Sequence, residues 1–366
     1  MKVLGLCLSP GVGGLELYVL REMLELQRRG HRCIAVTARE SMLARKFSAT
    51  GIDSFHIKPL NRHFPLMAAW RLAQVIDREK IDIIHVSWAK DLNLAALAKR
   101  ISNKKPRLLF TRHMGLTRSK QDLLHRWFYQ QIDKYLCVST MVESQARQHL
   151  GLADEKIQLL HLGVKAANDL QPDRNAFYRK YGLRQARLNI AVFGRIEEGK
   201  GQHIIVAAVK RLIANGLDVS LTIIGHIVNL DYQRDLLAGV EKDGVTASIR
   251  FIPFIENATD SMPNFDVIAL TTYEETFGLV LIEAMRAGVA VIGTAAGGVL
   301  DIIENDESGL LVEPKNVAAL AEAIETLYGD TRKRKRLAEN GKRKADQQFC
   351  EAKHFDQLEY LMRALI

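Results

Sequence analysis

The sequence predicts an α/β fold built as two doubly wound, parallel-sheet domains, and three observations carry that prediction. The chain has 366 residues, more than one ordinary domain needs and about right for two. Short apolar runs alternate with longer amphipathic runs, the pattern of repeated βα units and so of a parallel sheet covered on both faces. Twice an apolar strand runs straight into a glycine-bearing turn, after Lys2–Leu8 and after Leu188–Phe193.

Taken in order, Lys2–Leu8 reads as a first buried strand ended by Ser9-Pro10-Gly11. Gly13-Gly14-Leu15-Glu16 then opens an amphipathic helix that runs to Gly30. Strands are expected at Cys33–Thr37, Asp53–Leu60, Asp82–Ser87, Arg107–Thr111, Tyr135–Val138 and Ile157–Leu162. Between them, helices are expected at Pro65–Glu79, with Leu66, Trp70, Ala73 and Ile76 on one stripe, and at Leu92–Ile101, Lys120–Gln131 and Met141–His149. Residues 165–187 are polar, contain Pro172 and read as a linker with a short helix. The boundary is therefore set at 165/166, giving domains 1–165 and 166–350. The second domain continues with strands at Leu188–Phe193, Val219–Gly225, Val267–Thr271, Val289–Ile292 and Leu310–Val312. Asn316–Tyr328 is an amphipathic helix, and Arg332–Lys344, with eight basic residues, continues a helical pattern and reads as a solvated face. It lacks interleaved aromatics, so no nucleic-acid partner is expected. Glu351–Ile366 is a closing helix.

Composition narrows the classes. Apolar residues make up 48% and the mean hydropathy is −0.06, values of a soluble globular protein. No run approaches the roughly 18 apolar residues of a membrane span. Met1-Lys2 and the apolar residues behind it are followed by Gly-Val-Gly-Gly and Glu16 without a small-residue cleavage site, so no secretory signal and a cytoplasmic location are expected. Cys7, Cys33, Cys137 and Cys350 are scattered and read as reduced thiols, three of them buried, with neither a disulfide framework nor a zinc site. Residues 1–165 hold 27 Lys and Arg against 14 Asp and Glu, and the remainder 24 against 28. The first half is thus strongly basic and suited to an anionic partner.

The most informative stretch is Thr271–Gly298. Glu275 and Glu283 stand with seven residues between them, and Phe277-Gly278-Leu279 marks the change from strand to helix. A helix beginning near Gly278 points free N–H groups forward, which makes an anion site, and Gly lets a phosphate approach closely. A phosphate cradle with a carboxylate on either side suits a nucleotide-sugar. Upstream, Arg195 and Lys200 share the glycine-bearing turn Gly194–Gly201 and can neutralise a diphosphate as it leaves.

These residues carry a resemblance. Glu275-x-Phe277-Gly278-x-x-x-x-Glu283, followed by Ala284-Met285 and Gly288, resembles the signature of retaining glycosyltransferases of family 4, group 1, the lipopolysaccharide-core type. The Gly-Arg…Lys-Gly turn at 194–201 matches the same family. Thr276, where Gly is frequent, and Arg286, where Ala is common, depart from the pattern. The resemblance implies a GT-B fold, two Rossmann-like domains facing a central cleft, with the last helix (351–366) crossing back to the first domain. It implies catalytic roles for Glu275, His113, Arg195 and Lys200. It implies donor binding by Gly13, Gly14, Glu16, Arg195, Lys200, Phe277, Gly278, Leu279 and Glu283. His113 follows a strand at the edge where ligands bind and is expected at the hexose or the leaving diphosphate. His226–Leu230 and Phe251–Phe254 are expected to edge the nucleobase pocket.

The expected function is retaining transfer of a hexose from a nucleotide-sugar, a UDP-sugar before a GDP- or ADP-sugar, to a phosphorylated or lipid-linked glycan. The basic first half suggests an acceptor such as a bacterial lipopolysaccharide core or another envelope glycan. The chain has no Asp-x-Asp, which argues against a metal-bridged diphosphate, and no metal or other cofactor is expected. Residues 112–134 interleave Arg112, Arg118, Lys120, Arg126 and Lys134 with Leu123, Leu124, Trp127, Phe128 and Tyr129. They fit either an interfacial helix at the inner face of an anionic membrane or a core helix with a charged outer side. A nucleotide-sugar epimerase or phosphorylase of the same fold, or a non-catalytic nucleotide-sugar sensor, are the alternatives.

Overall fold

Thirteen strands, all paired in parallel, form two sheets in a computed structural model that describes residues 1–11, 13–58, 65–166 and 173–366. The chain divides into two units, Met1–His161 with Ala352–Ile366, and Leu162–Glu351.

The first unit holds β1 (Lys2–Cys7), β2 (Arg32–Thr37), β3 (Asp53–His56), β4 (Ile83–Val86), β5 (Arg107–Arg112), β6 (Lys134–Cys137) and β7 (Ile157–Leu159). Their spatial order is 3-2-1-4-5-6-7. Val3, Leu4, Leu6, Ile83, Ile84, Leu108, Leu109 and Phe110 are all fully buried, as continuous apolar strands covered on both faces must be. The chain winds outward from β1 to β3, then crosses back to β4 beside β1, so the crevice between the ends of β1 and β4 is a topological switch point. The closing helix Glu351–Arg363 packs in this unit: Arg29 pairs with Asp356 at 2.7 Å and Glu359 at 3.1 Å, and His31 with Glu359 at 3.0 Å.

The second unit repeats the winding with β8 (Leu188–Phe193), β9 (Val219–Ile224), β10 (Ile249–Ile252), β11 (Val267–Leu270), β12 (Ala290–Thr294) and β13 (Leu310–Val312). The order 10-9-8-11-12-13 puts its switch point between β8 and β11. Ile190, Val192, Leu221, Ile223, Val267 and Ala269 of the sheet pack with Ile205, Val209, Leu212, Leu320 and Ile324 of the covering helices.

Several elements differ from the sequence reading. Helix Leu66–Glu79 buries Ala68, Ala69, Leu72, Ala73 and Ile76, whereas Leu66 and Trp70 are 60% and 53% exposed. Those two lie roughly a quarter turn or more from the centre of the buried stripe, at 100° per residue. The helix expected from Lys120 begins at Leu123, because Asp122 caps it by accepting from the His125 N–H. Helices Met42–Ser48, Gln202–Ala214 and Leu230–Lys242 were not anticipated. Gln202–Ala214 is rich in Ile and Val, residues of low helix propensity, and packing against the sheet decides its conformation. The strand expected to reach Leu60 ends at His56, and Leu60 itself lies outside the described residues, as do 167–172 of the expected linker. Cys7, Cys33 and Cys137 are buried in β1, β2 and β6, and burial pushes each thiol up to about 12. The basic run at 332–344 lies on helix Thr331–Gln348, where Lys333 pairs with Asp306 and Lys344 with Glu304 at 2.8 Å.

Candidate functional site

In the second unit the turns leaving β8 and β11 lie side by side at the switch point. Gly201 has φ +66°, and a Cβ there would sit 2.2 Å from the Thr271 carbonyl oxygen, so only Gly fits. The turns are stitched across: Thr271 Oγ1 donates to the Lys200 carbonyl at 3.0 Å, and the Tyr273 N–H to the Gly199 carbonyl at 3.2 Å. Lys200 Nζ donates to Glu275 Oε2 at 2.8 Å, with the two side chains 22% and 20% exposed. Arg195 stands on the same turn with its side chain largely in solvent, Nη2 lying 2.9 Å from Glu197 Oε1. Its carbonyl accepts from Gln202 Nε2 at 2.8 Å. Arg195 and Lys200 are thus on one turn as the sequence indicates, but each has its own carboxylate partner.

Glu275 is fixed from behind by its backbone. The Gly298 N–H donates to its carbonyl at 2.8 Å, and Cβ atoms on Gly297 and Gly298 would lie 2.1 Å and 2.3 Å from the Glu275 and Thr276 carbonyl oxygens. Gly278, at φ +104°, caps helix Leu279–Arg286. By helix geometry the N–H groups of Leu279 and Val280 face out of that end. Glu283 is half-buried in the second turn of the same helix. The Phe277 side chain is buried and packs edge-on against Phe349 at 5.9 Å, which anchors the turn. Arg286 is explained as well. It is buried, donates to Asp346 at 2.9 Å and to the Val164 carbonyl, and so clamps the helix end. On the loops after β9 and β10, His226 stacks on Phe254 at 4.2 Å with 13° between the rings, a flat π surface. Among the described residues, Gln202 Oε1 and Thr272 Oγ1 are buried at this switch point without a hydrogen-bond partner.

In the first unit, Glu16 folds back into the turn after β1. Ser9 Oγ donates to its Oε1, and a Cβ on Gly11 would lie 2.9 Å from that oxygen. A Cβ on Gly14 would meet nothing within 4 Å, and Gly13 has an extended backbone at φ −158°. Across the switch point the Leu8 N–H donates to Asp91 at 2.7 Å. His113 follows β5; part of the residue reaches solvent, but Nε2 is buried and has no hydrogen-bond partner among the described residues. Its ring packs on Tyr18 at 4.8 Å, tilted by 58°. Burial first, then coulombic coupling to the His85, His354, Arg112 and Arg21 side chains, hold His113 down to about 3, so the imidazole is neutral at pH 7. Behind it, His85 is buried between Glu22 and Thr111, its Nε2 2.7 Å from Thr111 Oγ1.

The model of glycosyltransferase family 4 matches residues 12–168, and that of glycosyl transferases group 1 matches residues 173–344. The chain belongs to the group 1, family 4 glycosyltransferases. This transferase is 23% identical over 370 residues to N-acetyl-alpha-D-glucosaminyl L-malate synthase of Bacillus anthracis, covering 97% of this chain and 95% of that protein. It is 23% identical over 365 residues to the capsular polysaccharide biosynthesis glycosyltransferase CapM of Staphylococcus aureus, covering 95% and 94%. The solved structure of Anabaena HepE in complex with UDP has the same fold, with a TM-score of 0.86, 23% identity and full coverage of both chains. The transferase has the two parallel-sheet, Rossmann-like domains of the GT-B fold and is a nucleotide-sugar-dependent enzyme. Among its described residues, no three His, Cys, Asp or Glu are grouped so as to hold a metal ion, and no helix is long and apolar enough to cross a membrane.

Sequence reasoning about the transferase missed Tyr18, His354, Tyr273 and His203. Tyr273 Oη lies 2.8 Å from His203 Nε2, and Tyr232 Oη 2.9 Å from His203 Nδ1, which braces the turns that carry Lys200 and Glu275. Tyr273 stands two residues before Glu275, and that proximity was the only available signal.

Proposed function

We propose that this glycosyltransferase moves a hexose from a UDP-sugar to a hydroxyl of a phosphorylated or lipid-linked glycan, with retention at the anomeric carbon, in envelope-glycan synthesis at the inner face of the membrane. The Lys200–Glu275 pair at 2.8 Å carries the reading. It sets a cation and an acceptor-only carboxylate beside a glycine-capped helix end, at the place where a doubly wound sheet binds its ligand.

A diphosphate competes with Glu275 for the Lys200 ammonium. Arg195 and the N–H groups of Leu279 and Val280 add to its binding, and Glu275 is released to accept from hexose hydroxyls. Negative charge that grows on the departing phosphate meets Lys200 and Arg195, so this reading needs no divalent ion. Glu283 is assigned to the ribose. His113 is assigned to a hexose hydroxyl rather than to phosphate, because a neutral imidazole hydrogen-bonds but adds no charge. Glu16 and the open backbone at Gly13-Gly14 are assigned to the donor. The His226–Phe254 stack offers a face for the base, and the UDP complex of HepE favours uridine.

The anionic acceptor is supported by the first unit. Arg112, Arg118 and Lys120 gather there, and burial first, then the charge of Arg118 and Arg112, lower the pKa of Lys120. Leu123, Leu124 and Trp127 stand exposed beside them, which suits a lipid-linked glycan at an anionic surface. CapM, named for capsular polysaccharide, supports the envelope setting.

The test is to incubate the enzyme with UDP-glucose or UDP-galactose and phosphorylated glycan acceptors, and to read the new linkage by NMR. An α-linkage from the α-donor, unaffected by EDTA, is expected. An inverted linkage, loss of activity with chelator, or equal turnover of neutral acceptors would each overturn the corresponding part.

A further inference from the structure

We propose that the closing helix is a working part of the first unit's site: His354, acting through Tyr18, positions His113. The inference rests on the assignment of His113 to the donor hexose.

The directions of the hydrogen bonds can be assigned. A backbone carbonyl only accepts, so His354 Nδ1 carries a proton and donates to the His161 carbonyl at 2.7 Å. Burial holds His354 down to about 4, and its ring is neutral. Nε2 is then an acceptor, and the Tyr18 hydroxyl at 3.0 Å donates to it. Both side chains are buried, and Phe355 of the same closing helix stacks on Tyr18 at 6.5 Å with 20° between the rings. Tyr18 therefore has a fixed ring plane, and on that plane His113 rests at 4.8 Å.

His113 Nε2 has no hydrogen-bond partner among the described residues, so no such bond orients the ring from that atom. Packing on Tyr18 does. A buried, unpaired ring nitrogen held by its neighbours is a group kept ready for a ligand. The chain of contacts runs from His161 through His354 and Tyr18 to His113, between residues far apart in sequence, and all four lie in the first unit. Tyr18 and His354 are positioning residues and need not touch the sugar.

The experiment compares Tyr18→Phe, His354→Phe, the double variant and His354→Gln in the full-length enzyme. Gln can accept from the tyrosine and donate to the carbonyl, so it is the conservative rescue. Calorimetry gives the affinities for UDP and for UDP-glucose or UDP-galactose, and steady-state kinetics gives kcat and KM. The two Phe variants should bind UDP like the wild type, lose the extra affinity contributed by the hexose, and fall about tenfold to a hundredfold in kcat. The double variant should be no worse than either single one, because the pair acts as a unit. His354→Gln should recover most of the loss. Phe variants that melt earlier yet keep the wild-type kcat and hexose contribution would overturn the proposal and leave a structural role. His113→Ala is the control: if it keeps the hexose contribution, the hexose assignment itself fails. If His113→Ala loses that contribution and the Phe variants keep it, only the positioning inference fails. Tyr18→Phe is nearly isosteric and keeps the test open should His354→Phe not fold.

Discussion

In the second unit, backbone is pressed against backbone around the switch point: Gly201 on Thr271, Gly225 on Gly194, Gly297 and Gly298 on Glu275 and Thr276. In the first unit, the place next to its own switch point is filled instead by buried polar side chains from residues 18, 22, 85, 111 and 354, with the half-buried His113 against them. One half holds its charged groups, Arg195, Lys200 and Glu275, on turns pinned by Gly201, Gly297 and Gly298, where a Cβ would strike backbone. The other holds the neutral imidazoles of His113 and His354 in place through ring packing on Tyr18 and hydrogen bonds to Tyr18 and the His161 carbonyl. Strong anion binding needs cations and N–H groups at fixed positions, which tight turns supply. Selective contact with hydroxyls needs uncharged donors and acceptors, which a buried network supplies.

The largest effect expected from breaking this contrast is at a single glycine. Gly201→Ala forces a Cβ to 2.2 Å from a carbonyl at a positive φ, and should cost the second unit about 2–5 kcal/mol and abolish nucleotide binding. Gly14→Ala, where a Cβ meets nothing within 4 Å, should leave the melting temperature unchanged or slightly raised, by about 1 kcal/mol or less. Differential scanning calorimetry with and without UDP measures both. Equal destabilisation by the two substitutions would erase the distinction between the halves.

That distinction also explains what the sequence made legible. Arg195, Lys200, Glu275, Gly278 and Glu283 all fall in two short segments whose spacing could be read directly. The parallel sheets were legible because strands buried on both faces are continuous apolar runs. Tyr18 and His354 were not, because 335 residues separate them and each alone looks like an ordinary core aromatic. Phe277 was read as a donor contact because it sits inside the motif, and only packing against Phe349 shows that its side chain faces inward. Arg286 departs from the family pattern, and its bonds to Asp346 and the Val164 carbonyl, partners remote in sequence, give the reason.

A smaller effect sharpens the comparison through pH. An unfolded histidine binds its proton near pH 6.5, whereas folded His113 and His354 take theirs only near 3 and 4. Below pH 6.5 the unfolded chain therefore holds more protons, and stability falls until the pH reaches the folded values. Each histidine contributes at most about 1.4 kcal/mol per pH unit. The first unit should lose melting temperature between pH 6.5 and 4.5, and His354→Gln should flatten the slope. In the second unit His203 is also lowered, by burial first, and a shallower slope is expected there. Equal slopes in wild type and His354→Gln would contradict the assignment of a neutral His354.

The proposed function places a nucleoside diphosphate at the β8–β11 switch point, held by Lys200. Thermal shift with UDP, GDP, ADP and their hexose conjugates, on wild type and Lys200→Ala, tests it most directly. A rise is expected with UDP and UDP-hexose, worth about 2.7 kcal/mol at a hundredfold excess over Kd, and it should disappear in the variant. No shift with any nucleotide, or the same shift in wild type and Lys200→Ala, would contradict it.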